Sequence, residues 1–305
     1  MQIIEYSSFG KIFPANSVAC ALGFFDGVHI GHRKLISECI ACAKRDGLQS
    51  AVFTFPLSTP NLKGNKPRIY ADKKRAELFA ELGIDYLIIC DFKLVMGLSP
   101  RDFVTRVLCY DLGVRVALSG EGFRFGCGAT GGIKELKELM EELSGYAVTV
   151  NDVRALGKTV STTEIRDALA NGDMKSANLY LGEPFTVSGK VERGRGVGAA
   201  FGFPTVNIEL PEPALLKRGV YKSFLKIDGK EYTGLTNIGT CPTFEERKVH
   251  SETMILNFAG ELYGKHLDLR LIEYIREEKK FATPEALGEQ IKKDVEVILN
   301  GRQMD

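Results

Sequence analysis

Two histidines three residues apart stand in a glycine-spaced run, Gly23-Phe24-Phe25-Asp26-Gly27-Val28-His29-Ile30-Gly31-His32. Gly23, Gly27 and Gly31 let a backbone turn tightly and approach a ligand closely. A helix that opens here offers free amides and a partial positive charge to phosphates. Both imidazoles can face such an anion, donate to a phosphoryl oxygen, and charge near neutral pH. The plainer reading is two satisfied histidines at a strand–helix corner. The glycine spacing and the strand–turn–helix context weigh against it.

A second cluster is Ser161-Thr162-Thr163-Glu164-Ile165-Arg166. Its hydroxyls are in place to cap a helix, and Arg166, one turn in, can reach a triphosphate. A third runs Gly189-x-Val191-x-x-Gly194-x-x-x-Gly198, then Gly202-Phe203-Pro204-Thr205-Val206-Asn207. Pro204 restricts the chain, and Thr205 and Asn207 alternate onto one face of an extended segment. A hydroxyl beside an amide can hold a hydrated Mg²⁺ or a phosphate oxygen, or simply close a turn.

These clusters need elements to hold them, and the chain has two rhythms. Up to about residue 180, short apolar runs (Val18–Phe24, Ala51–Phe55, Tyr86–Ile89, Val114–Leu118, Ala147–Val150) alternate with helices. One helix spans about Gly31–Asp46; another, Asp72–Leu82, stops at Gly83; a third starts at Ser99-Pro100. Apolar strands between helices predict a doubly wound parallel α/β sheet, with ligands at the strands' carboxyl ends. From Glu183, strands at Phe185–Val191, Val220–Ile227, Glu231–Asn237, His250–Phe258 and Leu267–Ile275 predict an antiparallel β-barrel. A last helix has Thr283 as cap, Pro284 at its first position and Asn300-Gly301 as its stop. The expected domains are residues 1–182 and 183–305, with the boundary near Leu181–Pro184.

The bulk numbers fit two domains: 305 residues, 44% hydrophobic and 26% charged. A net charge of +1 argues against a broad grip on nucleic acid or anionic lipid. The start, MQIIEYSSFGKIF, has no basic, apolar leader pattern, and no apolar run is long enough to span a membrane. The seven cysteines (20, 39, 42, 90, 109, 127 and 241) are scattered, and Cys39-x-x-Cys42 lies on a helix without partners. Reduced thiols in a cytoplasmic protein are expected.

The N-terminal motifs resemble the nucleotidylyltransferase superfamily, with its H-x-G-H and ISSTxIR-like segments. More narrowly they resemble the FMN adenylyltransferase module of prokaryotic bifunctional riboflavin kinase/FAD synthetases. That resemblance implies ATP binding by Gly23, Phe24, Asp26, Gly27, His29, Gly31, His32, Ser161, Thr162, Thr163 and Arg166, with His29 and His32 catalytic. FMN phosphate would attack the ATP α-phosphate with no covalent enzyme intermediate, by positioning and charge stabilisation. The flavin side would involve Phe55, Glu121, Phe123, Arg124 and Phe125. This chain departs from the family there: Thr54-Phe55-Pro56-Leu57-Ser58-Thr59-Pro60 has no histidine, Gly122 replaces an acidic or amide residue, and Ala129 an arginine.

The C-terminal half resembles riboflavin kinase through Pro204-Thr205-x-Asn207, Gly219-Val220-Tyr221, Asn237-Ile238-Gly239-x-x-Pro242-Thr243, Glu252, Leu262-Tyr263-Gly264 and Arg276-x-x-x-x-Phe281. By that resemblance Glu252 is the general base for the riboflavin 5′-hydroxyl, and Thr205 and Asn207 hold Mg²⁺ and ATP phosphates. ATP or flavin contacts would come from Gly189, Gly194, Gly198, Gly202, Pro204, Asn237 and Arg276. Ala199 stands where a basic residue often follows the glycine. The chain is thus expected to make FMN from riboflavin and FAD from FMN, with ATP as co-substrate, and to bind no nucleic acid. Two alternatives stay open: a riboflavin kinase with a degenerate or altered adenylyltransferase, and a nonenzymatic flavin or nucleotide sensor.

Overall fold

The structure, a computed structural model, describes residues 1–10, 17–59, 66–192, 205–210, 215–240 and 249–300. The chain divides into two compact units, Met1–Thr162 and Thr163–Asp305.

In the first unit the order is β1 (Gln2–Tyr6), β2 (Val18–Leu22), α1 (Ile30–Asp46), β3 (Gln49–Thr54), α2 (Asp72–Leu82), β4 (Tyr86–Cys90) and α3 (Phe92–Val95). Then come α4 (Pro100–Asp102), running on as a π-helix over Phe103–Asp111, β5 (Val114–Gly120), α5 (Ile133–Glu142), β6 (Tyr146–Val150) and a small hairpin of β7 (Arg154–Ala155) and β8 (Lys158–Thr159). The six long strands form a parallel sheet in the order β1-β4-β3-β2-β5-β6. Every residue of β2 is buried, as a central strand covered on both faces requires. After β2 the chain builds outward through β3 and β4, then returns to place β5 on the other side of β2. In open parallel sheets such a reversal is where ligands bind, here at the carboxyl end of β2.

Local signals explain the boundaries. Gly83 ends α2 at φ 84°, its amide bonded to the Ala80 carbonyl at 3.0 Å. The Ser99 hydroxyl accepts the Asp102 amide at 3.1 Å, with Pro100 at the first helical position. The π-helical register turns Phe103, Val104, Val107, Leu108 and Asp111 inward. Asp111 there accepts the Tyr6 hydroxyl and the Gly10 amide, pinning the end of β1. Burial and the Asp111 carboxylate push the Tyr6 phenol well above its usual range.

The second unit begins one residue into α6 (Thr162–Asn171); α6 and α7 (Met174–Leu181) precede β9 (Phe185–Lys190), β10 (Thr205–Glu209), β11 (Gly219–Ile227), β12 (Lys230–Thr240), β13 (Val249–Ile255), β14 (His266–Arg276) and α8 (Pro284–Asn300). The antiparallel sheet runs β10-β13-β12-β11-β14-β9. An antiparallel bridge between Glu192 and Asn207 joins its two edges and curls it into a barrel. Asn178 of α7 accepts the Phe185 amide at 2.8 Å and donates to the Leu271 carbonyl at 2.9 Å, which seats the helix on β9 and β14. One sheet face carries Ser223, Thr236 and Thr253, fully buried and hydrogen-bonded in series at 2.7 and 2.9 Å. The other receives α8: Val220, Leu235 and Met254 pack with Ile298, Ile291 and Val295.

Six features go beyond the sequence expectations: β1, α3, α5, the β7–β8 hairpin, α7, and β10 as a sheet strand. Leu136, Leu139 and Met140 of α5 are buried at helical spacing, a signal the sequence carries plainly. The expected helix stop at Gly301 lies outside the described residues.

Candidate functional site

The first constellation grows from the carboxyl end of β2. The Gly23–His32 run makes a left-handed turn: Phe25 has φ 54°, Gly27 78° and Val28 42°. A Cβ on Gly27 would sit 2.8 Å from Ile69 Cδ1, and one on Gly31 3.2 Å from the His29 ring. Gly23 is as tight, with the Phe25 ring 3.0 Å from where a Cβ would go, so all three glycines make room for particular neighbours. The Asp26 carboxylate is buried and accepts the Ile69 amide at 3.0 Å, fastening the segment before α2 against the turn.

His29 caps α1, its Nδ1 accepting the His32 amide at 3.3 Å. With Nδ1 an acceptor, the neutral ring carries its proton on Nε2, a donor toward a ligand. The two imidazoles stack, centroids 3.5 Å apart and 18° from parallel. Burial pushes the His29 pKa down to about 4. Burial, the His29 ring and the Arg75 charge hold His32 well below the ordinary histidine range. Rings that charge near neutrality are thus not what the folded protein has. A stacked pair of imidazolium ions in a desolvated corner is too costly, so the pair is neutral at pH 7.

Three further side chains frame the turn, none legible as a motif. Arg68 lies over the Phe24 ring at 4.5 Å and donates to the Leu57 and Thr59 carbonyls at 3.1 and 2.8 Å. Arg75 is buried against the backbone ends of β2 and β3. Asp72 accepts the Leu57 amide at 3.1 Å. The histidine-free segment after Phe55 is held by this scaffold, with Leu57 buried and Ser58 exposed.

On the β5 side an aromatic cluster forms. Phe123 and Phe125 stack at 5.7 Å, Phe125 meets Phe103, and Phe53 meets Phe55 edge-on at 5.5 Å. Phe55, Phe123 and Phe125 thus pack on the same apolar core. Glu121, Gly122, Arg124 and Ala129 are exposed, with nothing within 4 Å of a Cβ at Gly122. Ser161 and Thr162 fall in the first unit. Thr163 and Arg166 fall in the second, where Arg166 is buried in α6.

In the second unit Glu252 of β13 is flanked in register by Asn207 of β10 and Asn237 of β12. All three project from one sheet face, the face that α8 covers. Thr205 Oγ1, two residues before Asn207, donates to Glu252 Oε1 at 2.9 Å. Beside them opens a cavity of about 280 Å³, walled by Thr205, Asn237, Glu252, Arg276, Glu278 and Asp294 among others. Asn237 Nδ2 donates to Glu278 at 3.3 Å, a carboxylate the motifs did not single out. Arg276 is drawn to α8: its Nη2 donates to Asp294 Oδ2 at 2.6 Å and its Nε to Oδ1 at 2.9 Å. Gly189 lies on β9, where a Cβ would strike Ile208. Gly194, Gly198, Gly202 and Pro204 lie outside the described residues.

The only cysteine pair with motif spacing is inert in this setting. Cys39 is buried in α1, its thiol pushed up to about 12 by burial, and it donates to the Ala19 carbonyl at 3.2 Å. Among the described residues no group of three or more His, Cys, Asp or Glu side chains is arranged to hold a metal. Among them, too, no helix is long and apolar enough to cross a membrane.

Family models match both halves: FAD synthetase over residues 13–164 and riboflavin kinase over residues 181–300. A bifunctional riboflavin kinase/FMN adenylyltransferase of Listeria monocytogenes is 34% identical, covering 90% of this chain and 89% of that protein. Those of Bacillus subtilis (33%, 90% and 89%) and Escherichia coli K12 (32%, 92% and 91%) match similarly. A crystal structure described as a macrolide-efflux protein from Streptococcus pneumoniae superposes with TM-score 0.85 at 26% identity, covering 98% of this chain and all of that one. With an FAD synthetase domain on the histidine turn and a flavokinase domain around Glu252, the chain belongs to the bifunctional riboflavin kinase/FMN adenylyltransferase family.

Proposed function

We propose that the C-terminal unit phosphorylates riboflavin to FMN and that the N-terminal unit adenylylates FMN to FAD, each with ATP. The contact between Thr205 and Glu252 at the cavity wall carries the kinase half of this reading. Glu252 is the general base: its carboxylate, held by the Thr205 hydroxyl at one oxygen, keeps the other for the proton of a primary alcohol. As the proton leaves, the alcohol oxygen attacks the ATP γ-phosphorus and ADP departs. Asn237, in register with Glu252, is proposed to orient the flavin or nucleotide.

The residues present suit Mg²⁺. The Thr205 hydroxyl spends its proton on Glu252, so both oxygen lone pairs remain for a hard cation. Asn207, on the same strand face, adds an amide oxygen, and ATP phosphates and water would complete an octahedron. When bound, the ion neutralises phosphate charge; Thr205 and Asn207 hold it and Glu252 handles the proton.

For adenylylation, the neutral histidine pair at the open end of β2 is proposed to donate to ATP phosphoryl oxygens, His29 through Nε2. The α1 amides add positive potential, and the FMN phosphate displaces pyrophosphate directly. Ser161, Thr162, Thr163 and Arg166 are proposed to close over the triphosphate, and Phe55, Phe123 and Phe125 to seat the flavin ring. The proposed functional domains are residues 1–182 and 183–305. The proposed setting is the cytoplasm, to which the free thiols among the described residues are suited.

Incubation with riboflavin, ATP and Mg²⁺, followed by chromatography of the flavins, tests both halves. FMN and then FAD are expected, and chelation with EDTA stops both. FMN without FAD leaves a kinase with an altered partner domain, the reading favoured by the empty space at Gly122. No FMN at all overturns the proposal.

A further inference from the structure

Arg75 belongs to none of the motifs, yet its guanidinium is 2% exposed. Its Nη1 donates to the Phe24 carbonyl at 2.6 Å and lies 3.4 Å from Thr54 Oγ1. Its Nη2 donates to the Phe55 carbonyl at 2.6 Å and to Asp72 Oδ1 at 2.7 Å. The Thr54 hydroxyl donates to the same Phe24 carbonyl at 3.0 Å. One side chain from α2 therefore ties the chain just beyond β2 to the chain just beyond β3.

The Phe24 carbonyl belongs to the peptide that leads into Phe25, the first left-handed residue of the turn at φ 54°. A bulky residue in that region costs on the order of 1 kcal/mol or more and persists only where its surroundings hold it. Fixing the Phe24 peptide plane is such a hold, and Val28, at φ 42°, needs the same rigid entry. Arg75 does not grip phosphate itself, since both terminal nitrogens are engaged by protein oxygens. A lysine at this place keeps the charge but cannot bridge two carbonyls with a planar fork.

We propose that Arg75 is the positioning residue of the histidine turn: by clamping the Phe24 and Phe55 carbonyls it fixes the left-handed entry that presents His29 and His32 to the ATP phosphates. This rests on the adenylyltransferase reading of that turn. The charged groups around the pair are Asp26 in the turn, Arg33 on α1, Arg68 before α2, and Asp72 and Arg75 on α2. Arg75 is the one whose charge bears on His32.

The test uses the full-length chain with R75K and R75M, FAD formation from FMN at varied ATP, and histidine titration by ¹H–¹³C NMR. In R75K, His32 titrates as in the unsubstituted protein while kcat/KM for ATP falls about tenfold to a hundredfold, the loss expected of misplaced catalytic groups. In R75M the same loss appears and the His32 titration point moves upward, because a neighbouring positive charge is gone. FMN formation is unchanged in both. Folded variants with unaltered kcat/KM overturn the proposal, as does full rescue by R75K of a defect seen in R75M, which would leave charge alone as the cause. If R75M does not fold, R75K alone decides on kcat/KM. An unsubstituted chain that makes FMN but no FAD removes the underlying adenylyltransferase reading instead.

Discussion

The Thr205 hydroxyl reaches across the β10–β13 pair and donates to the Glu252 carboxylate at 2.9 Å. Residues 47 positions apart in the chain become one unit because antiparallel pairing puts Asn207 opposite Glu252 and Thr205 two residues along on the same face.

If Glu252 is the base, E252Q keeps the shape and loses the proton acceptor. FMN formation then falls by about 10²–10⁴-fold in kcat, the usual worth of general base catalysis. KM for riboflavin changes little, and FAD formation from supplied FMN is untouched. Steady-state assays of the two reactions on one preparation check this, and full FMN formation by E252Q would remove Glu252 from the role.

The histidine pair makes a pH prediction with a definite sign. His29 has a folded pKa lowered to about 4, against about 6.5 unfolded. Above 6.5 neither state binds the proton. Between 6.5 and 4 the unfolded chain binds it and the folded chain does not, so stability falls as pH drops through that window. The full effect for this ring is about 3 kcal/mol. The acid limb of FAD formation accordingly lies nearer pH 4 than pH 6.5. Histidine NMR titration together with a pH–rate profile measures it; a His29 or His32 ring titrating near 6.5 in the folded protein contradicts it.

Asp294 is 3% exposed and holds Arg276 through paired hydrogen bonds. D294A leaves a guanidinium half-stranded under α8 and costs about 3 kcal/mol or more in the second unit. Thermal unfolding shows the loss as a lower Tm. The FMN-forming reaction weakens too, because the cavity wall shared by Arg276 and α8 loosens. Replacing both partners with apolar residues recovers stability better than removing one.

Gly27 lies at φ 78° with Ile69 Cδ1 2.8 Å from where a Cβ would go. G27A combines a left-handed backbone penalty with a clash and costs roughly 1–3 kcal/mol. FAD formation drops while FMN formation is retained. G47A, also at positive φ but with nothing within 4 Å, is the control for backbone strain alone.

How much of this is legible in the residue order depends on range. The helices over Ile30–Asp46 and Asp72–Leu82 and the parallel sheet are readable because caps, glycine stops and apolar runs act within a turn or a strand. The weakly marked edge strand β1 is not, since its pairing with β4 supplies most of its reason to be a strand. The π-helical register over Phe103–Asp111 is not readable either; it follows from packing Phe103 against Phe125 and Asp111 against Tyr6.

The same division holds at the sites. Sequence alone supplied the candidates: the histidine turn, Ser161–Arg166, Thr205 and Asn207 stand in recognisable local spacing, and Glu252 came from the riboflavin-kinase resemblance. Only tertiary structure decided their state. Burial makes His29 and His32 a neutral stacked pair, Asp294 claims Arg276 for α8, and Arg75 becomes a clamp on the turn. Spacing along a chain specifies which side chains share a strand or a helical turn. Desolvation and hydrogen bonding between distant segments set protonation and geometry, and these exist only once the segments meet.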